Sequence, residues 1–173
     1  MISRQLRSLH SAFLDADLPD WKPSISTIGG RPAVRVTVMA HPSFYYLEKN
    51  QWIRVDVRQG DGTRPPTTSA PTPFGISKRD DVHTICLLAV EESINWWRQR
   101  AFPLTPTDFR LREEDTTLAS TEGASRERVQ RLLHYVLRLG NTAADSSVRD
   151  IAARIILEQQ RLIQRAGETP RSA

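Results

Sequence analysis

The chain has 173 residues, of which 39% are hydrophobic and 25% are charged, and its formal net charge is +4. A chain of this length and composition can bury the core of one domain, so a chain that is disordered throughout is excluded. The longest apolar run, residues 85–90, is far shorter than the roughly 18 residues that a membrane-spanning helix requires.

The N-terminal residues and the cysteine content indicate a location. The chain begins without the continuous apolar stretch and cleavage site of a secretory signal. A single cysteine, Cys86, excludes an intrachain disulfide and a zinc site built from a cysteine cluster. We therefore expect a soluble cytoplasmic protein that is not associated with a membrane.

The basic residues are almost all arginine, since 21 of the 24 are Arg. Arginine binds phosphate and carboxylate groups through two parallel hydrogen bonds, so a binding function can select it. A GC-rich genome also raises arginine together with alanine and proline. We favour the genomic explanation, because a net charge of +4 is well below that of an obligate nucleic-acid binder.

The first half of the chain predicts a helix followed by an antiparallel sheet. Apolar residues recur at helical spacing over residues 2–14. Gly29-Gly30 separates two strands at residues 24–28 and 33–39, and a turn at residues 48–50 separates strands at 44–47 and 52–58. These patterns predict two hairpins in a sheet of three to four strands, covered on one face by helices.

Alternation within the strands predicts one buried and one solvated face of this sheet. We expect the buried face to pack on a helix over residues 79–100 and to carry Val34, Val36, Val38, Ile53, Val55 and Val57. We expect the solvated face to carry Arg35, Thr37, Trp52, Arg54 and Arg58.

The remaining segments complete an α+β domain with a C-terminal helical hairpin. Residues 59–76, rich in Pro and Thr, predict a mobile loop, and Ser77 is the expected N-cap of the helix at 79–100. The hairpin has Gly140-Asn141 as the stop of its first helix and Asp145, Ser146 or Ser147 as the cap of its second. We expect a core domain at residues 1–104, the connection and hairpin at 105–168, and a disordered tail at 169–173.

No motif of established chemistry is present. The four histidines lack the spacing that presents two metal ligands on one helical face, and no Gly-x-Ser-x-Gly elbow occurs. Neither Gly29-Gly30 nor Gly60-x-Gly62 leads into a phosphate-binding loop. Cys86 lies in an apolar run, which is typical of an inert, buried thiol. We predict no catalytic residues, no metal site and no cofactor, and we favour a binding function over an enzyme of unrecognised type.

Two binding functions are compatible with this pattern. The first is nucleic-acid binding, to RNA or DNA, by the arginines of the solvated sheet face with Trp52 as a stacking platform. An ordinary solvated face is the alternative explanation of the same residues. The second function is a protein–protein interaction module, either a complex subunit, an adaptor or an inhibitor, or a homo-oligomer. It would use the hairpin and the adjacent helix, where the candidate residues are Trp97, Arg131, His134 and Arg138.

Overall fold

The computed structural model of the chain describes residues 2–18, 20–39, 41–58, 67–69, 71–76, 82–101 and 121–168. The predicted α+β class is confirmed, with more strands than the three to four expected. The helices are α1 (Arg4–Asp15), α2 (Val82–Ala101), α3 (Thr121–Thr142) and α4 (Ser146–Glu168). The strands are β1 (Ser24–Ile28), β2 (Arg31–Val36), β3 (Ser43–Glu48), β4 (Gln51–Arg58), β5 (Thr67–Thr68) and β6 (Thr72–Ile76).

The chain divides into two compact units, Met1–Ala89 and Val90–Ala173, so the division falls within α2. The boundary that the sequence predicts after residue 104 lies outside the described residues. The same is true of the predicted cap Ser77 and of the tail at 169–173.

Helix α1 follows the predicted pattern closely. Ser3 caps it, since its Oγ accepts a hydrogen bond from the Leu6 amide at 3.2 Å. Its apolar face is buried, and the ring of Phe13 lies 5.6 Å from that of Tyr45 in β3. The first turns of α2 pack on α1, where the Cys86 thiol lies 4.0 Å from the Ala12 carbonyl oxygen.

Both predicted hairpins are confirmed, each closed by a two-residue turn. Gly29 and Gly30 have φ angles of 55° and 75°, and Lys49 and Asn50 have φ angles of 51° and 61°. Two successive positive φ angles match the right-handed twist of the flanking strands. The second turn is one residue shorter than predicted, because Glu48 pairs with Gln51.

The second half of the predicted mobile loop at residues 59–76 contains two strands that the sequence did not predict. Strands β5 and β6 both pair antiparallel with β4. Threonine favours strands, and an edge strand tolerates a proline such as Pro73, so this composition is compatible with the edge of a sheet. Residues 59–66 lie outside the described part of the chain.

The sheet has two buried faces, and the predicted division of its residues between them is wrong. Val34 pairs with Tyr45, which places Val34 on the face that contacts α1, here called the helix face. Val55 pairs with Phe44 and belongs to a second apolar cluster on the opposite side, here called the far face. The far-face cluster contains Ala33, Phe44, Tyr46, Ile53 and Val55, with Ile28 and Val57 packed against it.

The second unit contains the predicted helical hairpin. Its apolar seam is formed by Val129, Leu133 and Val136 of α3 and by Val148, Ala152 and Ile155 of α4, all of them 0–2% exposed. As predicted, Asp145 caps α4 and accepts a hydrogen bond from the Ser147 amide at 2.8 Å. The predicted stop at Gly140 is wrong, because α3 continues to Thr142. A Cβ at Gly140 would lie 3.6 Å from the Ala152 Cβ, which is an ordinary van der Waals contact, so the two helices meet at this position.

Polar side chains connect α4 to the second half of α2. Arg154 binds the carboxylate of Glu91 through two contacts of 2.9 and 3.3 Å. Gln159 is fully buried and donates a hydrogen bond from Nε2 to Asn95 Oδ1 at 2.9 Å. The second unit is therefore held by an apolar seam and by specific polar contacts.

Candidate functional site

The residues predicted to form an arginine-bearing sheet face do not share a face. Arg35 pairs with Phe44 and lies on the far-face side, whereas Arg54 pairs with Tyr45 on the helix face. Thr37 follows the end of β2 and donates its amide to the Trp21 carbonyl at 2.9 Å. The predicted grouping is wrong because the register between two strands decides which of their residues lie on the same face. Alternation within each strand does not determine that register.

Trp52 is not a stacking platform, since only 1% of the residue is exposed. It packs in the helix face, and its ring offers no surface to a nucleic-acid base. The Arg54 side chain is 12% exposed, and of the predicted residues in β4 only Arg58 is exposed. Burial of both sheet faces is the physical reason for this difference from the prediction.

The helix face instead holds a buried polar cluster around Asp56. Ser43 donates a hydrogen bond from Oγ to the Asp56 carboxylate at 2.7 Å, and Arg54 Nε lies 3.4 Å from the same oxygen. His41 Nε2 lies 3.9 Å from the other carboxylate oxygen. Ser69, next to β5, accepts a hydrogen bond from the Asp56 amide and donates its own amide to the Asp56 carbonyl, both at 2.9 Å. The cluster thus joins β3, β4 and the segment around β5.

Burial governs the titration of this cluster. It lowers the pKa of His41, against the opposing effect of the Asp56 carboxylate, and the nearby Arg58 and Arg54 lower it further. Burial also raises the pKa of the fully buried Tyr45 far above its usual range. At neutral pH the His41 imidazole and the Tyr45 phenol are therefore neutral.

The arrangement of the cluster does not match nucleophilic catalysis. In a hydrolase triad the imidazole lies between the hydroxyl and the carboxylate, and it takes the proton of the hydroxyl. Here the carboxylate lies between Ser43 and His41, so the histidine has no contact with the hydroxyl that it would have to activate. The geometry therefore supports a structural role, which fastens the strands together. Alternation along β4 predicts Asp56 on the solvated face together with Trp52, Arg54 and Arg58, and it does not identify Ser43 as the partner of Asp56.

The residues predicted to form a protein-interaction surface lie along one side of α3, where Trp97 of α2 also contributes its ring. Arg138 is exposed, and its guanidinium lies 5.5 Å from the centre of the Tyr135 ring. Arg128 lies 4.8 Å from the centre of the half-buried Trp97 ring. Arg131 is 38% exposed and pairs with Glu127 at 2.7 Å.

Residues 128, 131, 135 and 138 recur at helical spacing and therefore share one side of α3. We call Arg128, Arg131 and Arg138, with the rings of Trp97 and Tyr135, the arginine stripe. Half-buried His134 borders it. Sequence reasoning named Arg131, His134, Arg138 and Trp97 but missed Arg128 and Tyr135, although their spacing was a visible signal.

Metal ligation has no candidate within the described ranges, where no group of three or more His, Cys, Asp or Glu side chains could hold an ion. No helix in those ranges is long and apolar enough to cross a membrane. The sequence matches no family model, no curated protein and no solved structure.

Proposed function

We propose that this protein is a non-catalytic protein-interaction module, acting as a complex subunit, an adaptor or an inhibitor, and that it binds an acidic surface of its partner through the arginine stripe. The observation that carries the proposal is the stacking of two arginines, Arg128 and Arg138, on the aromatic rings of Trp97 and Tyr135.

Stacking prepares these arginines for binding. A guanidinium that lies over a ring keeps its N–H donors at its edge, so less conformational freedom is lost when a carboxylate binds. Trp, Tyr and Arg are also the residue types that contribute most of the binding energy in protein interfaces. The stripe therefore has the composition and the preorganisation of an interface centre.

The charge of the stripe favours an acidic partner. Within the stripe, Arg131 pairs with the carboxylate of Glu127 on the same helix. Arg138 has no carboxylate partner within the described residues, in contrast to Arg154, which contacts both Glu91 and Glu158. An Asp- or Glu-rich surface would supply the carboxylate that Arg138 lacks.

The test begins with purification of the tagged full chain from its native host and identification of a stoichiometric protein partner. Binding of that partner is then titrated against wild-type protein and against Arg138→Ala, Arg138→Lys and Arg149→Ala. We expect Arg138→Ala to weaken the Kd about tenfold, equivalent to about 1.4 kcal/mol. Arg138→Lys should recover only part of this loss, because lysine keeps the charge but not the planar group.

The matched control is Arg149→Ala, an exposed arginine on α4 outside the stripe, which should leave the Kd unchanged. Equal effects of Arg138→Ala and Arg149→Ala would contradict the proposal. A mixed single-stranded oligonucleotide at low salt forms the second arm of the test. Salt-dependent binding of this oligonucleotide, reduced by Arg138→Ala, in the absence of a protein partner would identify the stripe as a nucleic-acid site instead.

A further inference from the structure

The first unit contains an open groove of about 610 Å³ between α1 and the beginning of α2. Its polar lining comes chiefly from Arg4, Arg7, Ser8 and Ser11 of α1 and from His83 of α2. Residues 4, 8 and 11 lie on one side of a helix, so their side chains converge on the same space. The volume is within the range of about 300–1,000 Å³ that small-molecule sites occupy.

The donors of this groove are not engaged by the protein. Within the described residues, the side chains of Arg4 and Arg7 form no ion pair and no hydrogen bond, and the same holds for the hydroxyls of Ser8 and Ser11 and for the His83 ring. His10 on the same helix differs, since its Nε2 lies 3.3 Å from the Pro23 carbonyl oxygen. The groove therefore collects two guanidinium groups, two hydroxyls and an imidazole whose hydrogen-bonding capacity is unused.

We propose that this groove binds a small phosphomonoester, with the phosphate held by Arg4 and Arg7. Guanidinium groups match the geometry of phosphate oxygens and form charge-assisted hydrogen bonds to them. The serine hydroxyls and His83 supply further donors along the groove. This site is independent of the arginine stripe, which belongs to the second unit.

The far end of the groove defines the rest of the ligand. Among the described residues that line the groove, Asp15 is the only one with a carboxylate, and it follows Arg4 by eleven residues on α1. At 1.5 Å per residue this separation is roughly 16 Å along the helix axis. A carboxylate at that distance does not compete for the arginines, and it accepts hydrogen bonds from hydroxyl or amine groups. The ligand class is therefore a phosphomonoester with a polar body the size of a sugar.

The test uses ribose 5-phosphate as the probe, with inorganic phosphate and ribose as comparisons. Amide resonances of α1 and of residues 82–84 are followed by NMR during titration of the full chain. Arg4→Gln with Arg7→Gln removes the proposed phosphate ligands. Because both arginines are exposed, the fold should be retained, and the spectrum of the variant verifies this directly. The matched control is Arg149→Gln with Arg161→Gln, two exposed arginines of α4.

We expect saturable shifts with ribose 5-phosphate, an affinity at least tenfold lower in the Arg4/Arg7 variant, and an unchanged affinity in the control. Ribose should cause no saturable shift, and inorganic phosphate should bind more weakly than the ester. Absence of saturation by ribose 5-phosphate, or equal binding by the Arg4/Arg7 variant, would overturn the site. Equal affinity for inorganic phosphate would overturn the assignment of a phosphomonoester. None of these results depends on whether the stripe binds a protein.

Discussion

At the scale of single residues, Asp56 is buried, although alternation along its strand predicts it on the solvated face. Its carboxylate lies between Ser43 and Arg54 on the helix face, and the residue is 9% exposed. Removing charges from water is costly, and a buried ion pair is tolerated only when each partner satisfies the other. Removal of either Asp56 or Arg54 alone would leave the other charge buried without a counter-charge, and this would destabilise the fold.

Asp56→Ala should lower the free energy of unfolding by about 3–5 kcal/mol, because Arg54 would remain buried without its carboxylate. The control is Glu48→Ala. It removes the ion pair with Arg31, whose two side chains are 52% and 42% exposed. Solvent screens that pair, so we expect no measurable loss of stability in the control. Urea denaturation of both variants makes the comparison, and similar losses would contradict the assignment of Asp56 to the interior.

His41 should make the stability of the protein depend on pH. Its folded-state pKa is lowered by burial, whereas in the unfolded chain it is about 6.5. Below pH 6.5 the unfolded state therefore binds a proton more readily, and stability is lost as the pH falls from 6.5 towards the folded-state pKa. Unfolding free energies of the wild type and of His41→Gln, measured from pH 8 to pH 5, should differ by an amount that changes in this window. A difference that is independent of pH would contradict the prediction.

At the scale of elements, helical periodicity in the sequence identified the apolar side of each helix. Contacts between helices determine the roles of two further residues, Gly140 and Gln159. Gly140 lies inside α3, and Ala152 of α4 is fully buried beside it. Gln159 continues the buried side of α4 as a polar residue because Asn95 accepts its hydrogen bond. Neither role could be inferred from one helix, since each depends on the residue that another helix presents.

Ala152→Leu should destabilise the second unit by about 1–3 kcal/mol, because Ala152 is fully buried and the added carbons would overpack the seam between α3 and α4. Ala153→Leu is the matched control, since the adjacent alanine is exposed and the same change should be nearly neutral. Thermal unfolding monitored by circular dichroism distinguishes the two variants. An equal melting temperature for both would show that α3 and α4 do not meet closely at this position.

At the scale of the whole molecule, the sheet has no solvated face in its centre. Val34 and Tyr45 on the helix face are 0% exposed, and Ala33 and Val55 on the far face are 0% and 3% exposed. The hypothesis of nucleic acid on the sheet required Trp52 and Arg35 to lie side by side in solvent. The register places them on opposite faces, so an interaction through α3 is the better-supported proposal.

Trp52→Ala should lower the free energy of unfolding by about 3–5 kcal/mol, as expected for removal of a large aromatic side chain from a packed interior. A solvated Trp52 would instead give a variant of nearly wild-type stability. Thr27→Ala in β1, which alters an exposed residue of the same sheet, serves as the control. Guanidinium denaturation of the two variants measures the difference.

The sequence by itself determined the local elements of this protein. The glycine pair specified the first hairpin, and the apolar residues Leu6, Leu9 and Phe13 specified α1. The start of α4 was restricted to three candidate caps, of which the structure uses Asp145. These features depend on φ angles, on hydrogen bonds and on periodicity within a few residues. The arginine stripe was found in part for the same reason, because most of its members recur on one helix.

Only the tertiary structure decided which strand residues share a face and which polar groups are buried. Register between strands joins residues far apart in sequence, and a shift of one residue moves every side chain to the other face. Ser43 and Asp56 meet in this way, as do Arg154 and Glu91 across 63 residues. Burial depends on what covers each surface, and alternation of polar and apolar residues along one strand carries no information about that cover.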